Sequence, residues 1–471
     1  MKPNAFNAKR FLSVLLLAAL GAVVAKAGGL MTNTNYHIAF DRMFARGATS
    51  EIDATFSNPA GLVWGHEGWQ LSLDFQKPWQ NRDIETTVDD VTQKYPGEAS
   101  APIVPALFAS YKKDKYAVSA MLGIVGSGGY VEFEDGIPMF NVPLSNLVEG
   151  LLKQQKQTPV LPQGLYSIDS NVKGKQYIYG GQVNFSYRIL DCLSAAVGAR
   201  VTYYDGYNRG YVTAKGSEAL GGETLANLEM DCEQRGWGFA PVISLDYHKG
   251  PLTLAARYDF RTKINVPNDT KELVVEAAGT KYDLKGMAEQ FGTEATVAAL
   301  GQVLGSSAGK VKGYLPDVKT RYDMPSLLVF AAGYEFTPKL RAAVEYHFYD
   351  DKNAKMADNR QDELSHGTSE FLLGAEYDIN KKITVSCGGQ RTDYGLTDGY
   401  QQNTSFACDS WSVGAGAAVN LTEKLRLNVS YFCTLYSDYT KETTAARDGY
   451  DGKDVYSRTN NVIGVGIDYK F

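Results

Sequence analysis

The chain closes on Val462–Phe471, "VIGVGIDYKF". Ile463, Val465, Ile467, Tyr469 and Phe471 fall on one face of an extended chain, and Gly464, Gly466, Asp468 and Lys470 fall on the other. Strand side chains alternate with a period of two, so the stretch reads as a strand with one apolar and one polar face. Both charges sit on the polar face and an aromatic ends the apolar one. Such a strand suits a soluble sandwich, whose polar face is wet. It equally suits a membrane barrel, whose polar face lines the lumen while the apolar face meets lipid.

The same pattern recurs upstream. Leu340, Ala342, Val344, Tyr346 and Phe348 alternate with Arg341, Ala343, Glu345 and His347. The stretches Phe371–Ile379, Leu252–Phe260 and Leu425–Tyr431 behave alike. Connection lengths separate the two readings. Six short turns lie near Lys113–Asp114, Leu190–Asp191, Lys249–Gly250, Thr337–Lys339, Asn380–Lys382 and Thr422–Lys424. They alternate with seven long loops, roughly 77–102, 134–175, 207–235, 266–321, 350–368, 393–406 and 437–458. Thirteen connections imply 14 strands. Short turns on one side and long loops on the other mark an outer-membrane barrel, and 30 Tyr, 20 Phe and 5 Trp suit its aromatic girdles. The expected fold is all-β, a 14-stranded antiparallel transmembrane β-barrel with short loop helices and both termini on the periplasmic side.

About eight strands give a lumen that side chains fill, and about 16 leave an aqueous channel. Fourteen fall between, so the tube needs a plug. The residues before the first strand, Trp69–Gln76, are available for one. They follow a predicted signal peptide, residues 1–27: Lys2, Lys9 and Arg10, then "FLSVLLLAALGAVVA", then the small-x-small site Ala25–Ala27. The expected organisation is signal peptide 1–27, hatch 28–66 and barrel 67–471. No Cys follows the cleavage site, so no lipid anchor is expected there.

Removing the four basic residues of the signal takes the net charge from −6 to −10, which argues against nucleic acid as a partner. No later apolar run is long enough for a membrane helix. The five cysteines are odd in number, widely spaced and free of CxxC, so no pairing is assigned. None of the five histidines sits in HxxxH or HExxH, and there is no GxSxG. No metal, cofactor or enzymatic activity is expected.

Two loops carry helical patterns. Leu144, Leu147, Val148, Leu151 and Leu152 follow the spacing of an amphipathic helix, and "LKGMAEQFGTEATVAALGQVLG" reads as a second helix weakened by glycine. Their apolar faces either pack on a neighbouring loop or offer a landing site for a ligand.

The hatch region contains Phe56–Gly65, "FSNPAGLVWG". Pro59 forbids a central strand and holds Asn58 extended. Together with "FARGAT" at Phe44–Thr49 and the terminal Phe471, this stretch resembles the FadL/OmpP1/TodX family of outer-membrane transporters. The resemblance implies uptake of long-chain fatty acids or other hydrocarbons. It also implies an N-terminal hatch with its motif at Asn58, Pro59, Ala60 and Gly61, and a third strand kinked inward to open the wall. That strand is Tyr116–Phe133, which alternates cleanly to Ile124 and then meets Gly126, Ser127, Gly128 and Gly129. Small residues in mid-strand mark bulges. Ladder groups freed there must be satisfied from inside, and the amide of Asn58 is the expected partner.

A hydrophobic cargo favours sideways release, because a chain of about 16 carbons gains roughly 12 kcal/mol on leaving water and would lose it again in the periplasm. The expected partners are fatty acids, hydrocarbons and detergents, outer-membrane lipid and lipopolysaccharide around the wall, and the barrel-assembly machinery through Phe471. On the polar faces, Arg200, Arg257, Arg341 and Arg426 are expected to pair with Glu335, Glu345, Glu376, Asp246 and Asp259. Arg257 and Arg341, with Leu147 and Leu151 of the loop helix, are the candidates for ligand contact. Alternative readings are a FadL-like binding or shuttle protein for protein secretion, and a general porin for polar solutes.

Overall fold

In the computed structural model, strands of alternating polarity close into one antiparallel wall. The structure describes residues 37–101, 103–156, 164–218, 221–277, 280–304, 312–316 and 318–471, so the predicted signal peptide lies outside the described residues. The staves are β1 Gly68–Val88, β2 Val104–Lys113, β3 Tyr116–Phe133, β4 Tyr166–Leu190, β5 Leu193–Gly216, β6 Thr224–Lys249 and β7 Leu252–Asp259. They continue with β8 Leu327–Thr337, β9 Leu340–Tyr349, β10 Thr368–Asp378, β11 Ile383–Asp393, β12 Ser410–Asn420, β13 Leu425–Tyr436 and β14 Gly452–Lys470. β1 closes the ring on β14, in register from Gln70↔Lys470 to Thr87↔Lys453. The wall has the 14 staves that the alternation implied, and the six short turns fall where the sequence placed them.

The wall is polar inside and apolar outside. Gln70, Ser72, Asp74 and Gln76 of β1 are buried, whereas Leu71, Leu73 and Phe75 between them are exposed. The same inversion holds on β10, where Phe371 and Leu373 stand exposed. That belt of exposed apolar side chains is the lipid face of a membrane barrel.

Several predicted loops are shorter than expected because the strands run on. β1 continues to Val88, β4 begins at Tyr166, and β5 and β6 meet across residues 217–223. Beyond the lipid no face needs to be apolar, so the alternation of hydropathy fades while the pairing persists. Cross-strand charges take over: Lys175 pairs with Asp205 at 2.6 Å, and Arg209 with Asp231 and Glu233 at 2.8 Å each.

At the long-loop end the connections share one apolar core. α3 (Pro138–Lys156) buries Leu144 and Val148 against Phe133, Ile137, Phe140, Tyr95, Leu284, Leu315, Phe406 and Tyr456. The pattern in 266–321 forms two helices rather than one, Leu284–Phe291 and Thr293–Leu304, because Gly292 between them takes φ +84. This apolar core is a lid over the barrel mouth. The five cysteines are all free.

Candidate functional site: a plugged lumen beside an interrupted wall

Residues 37–66 run through the lumen. α1 (Ile38–Met43) is buried along its whole length. His37 caps it, with Nδ1 accepting from the Ala39 amide at 3.1 Å. Its seat is made of glycine. A Cβ added at Gly374 would stand 2.1 Å from the Met43 carbonyl oxygen, and one at Gly388 1.9 Å from it. At Gly464 it would stand 2.6 Å from Ile38 Cδ1, and at Gly466 3.0 Å from Ile38 Cγ1. The glycines on the polar face of the closing strand are therefore where the helix touches the wall.

Charge holds the same region. Arg42 donates to Glu376 and, at 2.7 Å, to Ser386. Arg46 reaches Asp53 and Glu51 at 2.7 Å and Glu376 at 3.3 Å. Arg341 meets Glu376 at 2.8 Å and Asp378 at 3.0 Å, and Arg426 meets Glu51. Plug and wall thus share four guanidiniums and four carboxylates in one network.

His37 adds a pH-sensitive anchor. Its Nε2 lies 3.2 Å from Asp468 and 3.8 Å from Asp74. Burial pushes the imidazolium down, but Asp74 and Asp468 more than offset this and raise it to about 9. A raised value stabilises the folded state fully below the unfolded pKa of about 6.5, and the contribution is lost as pH rises through about 9. Thermal unfolding of the wild type is expected to weaken over that window. His37→Gln should flatten this part of the profile, which paired melts across the window will read.

The second half of the plug is held by side chains that seek its backbone. α2 (Ala54–Ser57) leads into a 3₁₀ turn, Pro59–Trp64. Gln182 and Asn184 donate to the Thr55 carbonyl at 3.2 and 3.0 Å. Ser186 donates to Pro59 and Ser194 to Ala60, both at 2.7 Å. The Ala60 amide donates to Ser244 at 3.1 Å. Gly61 is required by proximity, since a Cβ there would stand 2.3 Å from the Thr49 carbonyl. The motif Asn58–Gly61 is thus hooked onto β4, β5 and β6.

One expectation is corrected here. The Asn58 amide does not serve the third strand; it donates to Asp246 at 3.1 Å and Leu245 O at 3.4 Å on β6. The extended Asn58 backbone, φ −162, carries the side chain toward β6, so the motif anchors the plug away from the kink. What lies against β3 is the apolar pair Ile52 and Phe56, packed with Met121, Val125 and Ile178.

The wall is interrupted beside that pair. β2–β3 pairing stops at Leu107↔Leu122, and this edge of β3 is paired again only from Ser100↔Tyr130, by the short separate strand Glu98–Ser100. On its other edge β3 stays paired with β4, but with register shifts between Ile124 and Gly126 and between Ser127 and Gly129, where Gly129 takes φ +77. The side chain of Ser127 lies outside the described residues. On the lipid side the interruption opens into a cavity of about 610 Å³, lined by Leu73, Leu107, Leu122, Ile124, Tyr179 and Trp237. A smaller one, about 230 Å³, lies at the short-turn side of the plug against Arg46, Glu51, Asp246, His248 and Arg341.

The candidate ligand arginines are otherwise engaged. Arg257 is buried, donates to the Phe56 carbonyl and, at 2.8 Å, to that of Ser57, and pairs with Asp259 at 3.0 Å. It holds the plug because its strand faces the turn after α2. Arg341 belongs to the plug network. Arg200 pairs with Asp259 at 2.8 Å and lies over the Phe56 ring. The Leu147 and Leu151 side chains lie outside the described residues. Sequence reasoning missed His37 as a cap and Phe56 as the plug residue nearest the interruption.

Comparison with known proteins agrees with this geometry. Residues 277–471 match the family model described as an outer membrane protein beta-barrel domain. No curated protein matches the chain. Among solved structures, a FadL homologue from Pseudomonas aeruginosa superposes with a TM-score of 0.64 at 12% identity, covering 94% of this chain and 100% of that one. The toluene transporter TodX from Pseudomonas putida gives 0.60 at 12% identity, covering 95% and 100%. The CymD monoaromatic hydrocarbon channel gives 0.52 at 12% identity, covering 89% and 93%. Wall, plug and comparisons agree: the chain folds as an outer-membrane β-barrel of the FadL type, 14 strands closed around an N-terminal plug.

Proposed function

We propose that the protein admits hydrophobic small molecules, long-chain fatty acids foremost, by passive diffusion across an outer membrane and releases them sideways into the bilayer. One observation carries the reading. The β2–β3 ladder is interrupted where both sides are apolar, with Ile52, Phe56, Met121 and Val125 within and the 610 Å³ recess without. The axial route is filled by residues 37–66, and the cavity beyond them is lined by charges that an acyl chain would avoid. Sideways exit keeps the roughly 12 kcal/mol that about 16 carbons gain outside water.

In this reading the lid of long loops faces outward, both termini are periplasmic, and lipid and lipopolysaccharide surround the wall. Phe471 ends the apolar face, edge-on to Tyr469 at 4.8 Å, as an address for barrel assembly. Ile52 and Phe56 of the plug and the kink Gly126–Gly129 frame the route, while the hatch motif Asn58–Gly61 anchors the plug on β4, β5 and β6. No transduced energy is needed; ligand binding shifts the plug between states.

The test is to fill the inner mouth of the interruption. A Cβ at Gly123 meets nothing nearer than Ala106 Cβ at 3.5 Å, an ordinary contact, so Gly123→Phe folds and projects a ring into the gap. Labelled fatty acid uptake is expected to drop to the level of cells lacking the protein. Undiminished uptake would rule out this exit. Liposomes bearing the wild type are expected not to swell in sugar, and swelling would return the porin reading.

A further inference from the structure

Three of the six short turns are built to one plan. They read "FTPKL" at Phe336–Leu340, "INKKI" at Ile379–Ile383 and "LTEKL" at Leu421–Leu425. Each has an apolar residue, a Thr or Asn, a variable position, a Lys and a second apolar residue. The oxygen of the second side chain folds the turn. Thr337 Oγ1 accepts from the Lys339 and Leu340 amides at 3.2 and 3.0 Å. Asn380 Oδ1 accepts from those of Lys382 and Ile383 at 2.8 and 3.0 Å. Thr422 Oγ1 accepts from those of Lys424 and Leu425 at 3.2 and 3.0 Å. Side-chain caps of this kind explain the Thr and Asn, but they do not call for a lysine.

The lysine nevertheless recurs, each time at the same place on the wall. The carbonyls of Lys339, Lys382 and Lys424 accept, at 2.8 Å each, from the amides of Asp378, Asn420 and Lys470 at the ends of the neighbouring strands. One such position therefore comes every second strand, roughly 10 Å along the rim. The three lysines are exposed. The apolar residues that bracket them, Phe336 and Leu340, Ile379, and Leu421, are exposed too and end the lipid face of the barrel.

The charge of this rim is not neutralised by the protein. Among the described residues the ammonium groups of Lys339, Lys382 and Lys424 make no ion pair and no hydrogen bond. At the long-loop end, by contrast, Lys94, Lys271 and Lys285 meet Glu85, Asp269 and Glu289 at 3.1, 2.6 and 3.3 Å. A chain of net charge −6 does not lack carboxylates. Yet seven exposed lysines stand in or next to the six short turns, against the four acids Asp114, Asp191, Asp378 and Glu423. Asp378 is already held by Arg341, at 3.0 Å.

We propose that the three repeated turns dock anionic phospholipid head groups in the leaflet at the short-turn end. The apolar brackets fix each lysine at the depth where acyl chains end and phosphates begin. The lysine stem follows the apolar edge and the ammonium meets the phosphate. The brackets also favour a lipid over a soluble anion, because a free phosphate gains nothing from Phe336 or Leu421. The inference needs the membrane barrel only and does not depend on what the barrel admits.

The test uses the full chain, reconstituted in vesicles of equal phosphatidylglycerol and phosphatidylcholine with the same acyl chains, then extracted in a non-ionic detergent. Mass spectrometry counts the phospholipids that stay bound. The wild type is expected to retain phosphatidylglycerol about fivefold over phosphatidylcholine, the ratio that one lysine supplies at an anionic head group. In the triple variant Lys339→Gln, Lys382→Gln, Lys424→Gln the ratio should fall to about one. That variant should melt like the wild type in detergent alone, and an Arg triple at the same positions should keep the preference. The control triple Lys94→Gln, Lys271→Gln, Lys285→Gln should keep it as well. Equal retention of both lipids by the wild type, a Gln rim that keeps the preference, or an equal loss in the control triple overturns the docking rim. A second arm adds inorganic phosphate to the purified protein. A higher melting temperature in the wild type but not in the Gln rim, with no lipid preference, would assign the lysines to a soluble anion and overturn the lipid assignment. None of these measurements involves cargo, so failure of the rim and failure of the uptake reading are told apart.

Discussion

Glu376→Ala is expected to unseat the plug and turn a sealed barrel into a leaking one. Glu376 is buried on β10 and serves three guanidiniums: Arg42, Arg46 and Arg341. Its removal leaves Arg42 with no carboxylate partner among the described residues, at 0% exposure, and strips Arg46 of one of three. Breaking a buried ion pair from one side costs about 3–5 kcal/mol, because the remaining charge stays buried without compensation. The wall has its own ladder hydrogen bonds and lipid contacts, so the loss falls on the contact between plug and strand. Sugar-induced swelling of liposomes should rise well above the wild-type baseline. Arg341→Ala provides the contrast. That side chain is 30% exposed at the edge of the network, where an ion pair contributes less than about 1 kcal/mol, and its removal should leave the barrel sealed. A tight Glu376→Ala barrel with unchanged melting would mean that packing alone seats the plug.

The wall was legible because two solvents constrain every strand within the bilayer. Lipid on one side and a polar lumen on the other force strict alternation, and "VIGVGIDYKF" shows it in ten residues. Outside the bilayer that constraint lapses. The outer halves of β1, β4 and β5 read as loops although their pairing is continuous. The plug motif was legible as a motif, but not its destination. Which strands a central segment touches depends on the path of the chain across the lumen, and nothing in the residues around Asn58 distinguishes β3 from β6. Arg257 and Arg341 were correctly placed on polar faces. Their commitment to plug carbonyls and plug carboxylates follows from the same missing distances.

Gly388→Val is expected to have the second large effect, and it separates steric seating from electrostatic seating. Gly388 lies on the inner face of β11, where an added Cβ would stand 1.9 Å from the Met43 carbonyl oxygen and 2.5 Å from its carbon. Both are backbone atoms at the end of α1, so no side chain can rotate away. Overpacking of this kind typically costs about 1–3 kcal/mol when neighbours can shift. Here the neighbour is a helix end already fixed by Arg42 on Glu376 and Ser386. The helix must leave its seat, and sugar flux through reconstituted barrels should appear without loss of the wall. Cys387→Val is the matched control. Cys387 is exposed on the opposite face of the same strand, toward lipid, and its replacement should change stability by less than about 0.5 kcal/mol and leave the barrel tight. In a chain lacking residues 37–66 the effect of Gly388→Val should shrink to its residual clash with the wall, where the added Cβ stands 2.7 Å from the Leu373 carbonyl oxygen of β10. A Gly388→Val barrel that remains sealed and melts like the wild type would show that α1 can slide along the wall. Gly388 would then be permissive rather than required as a seat for α1.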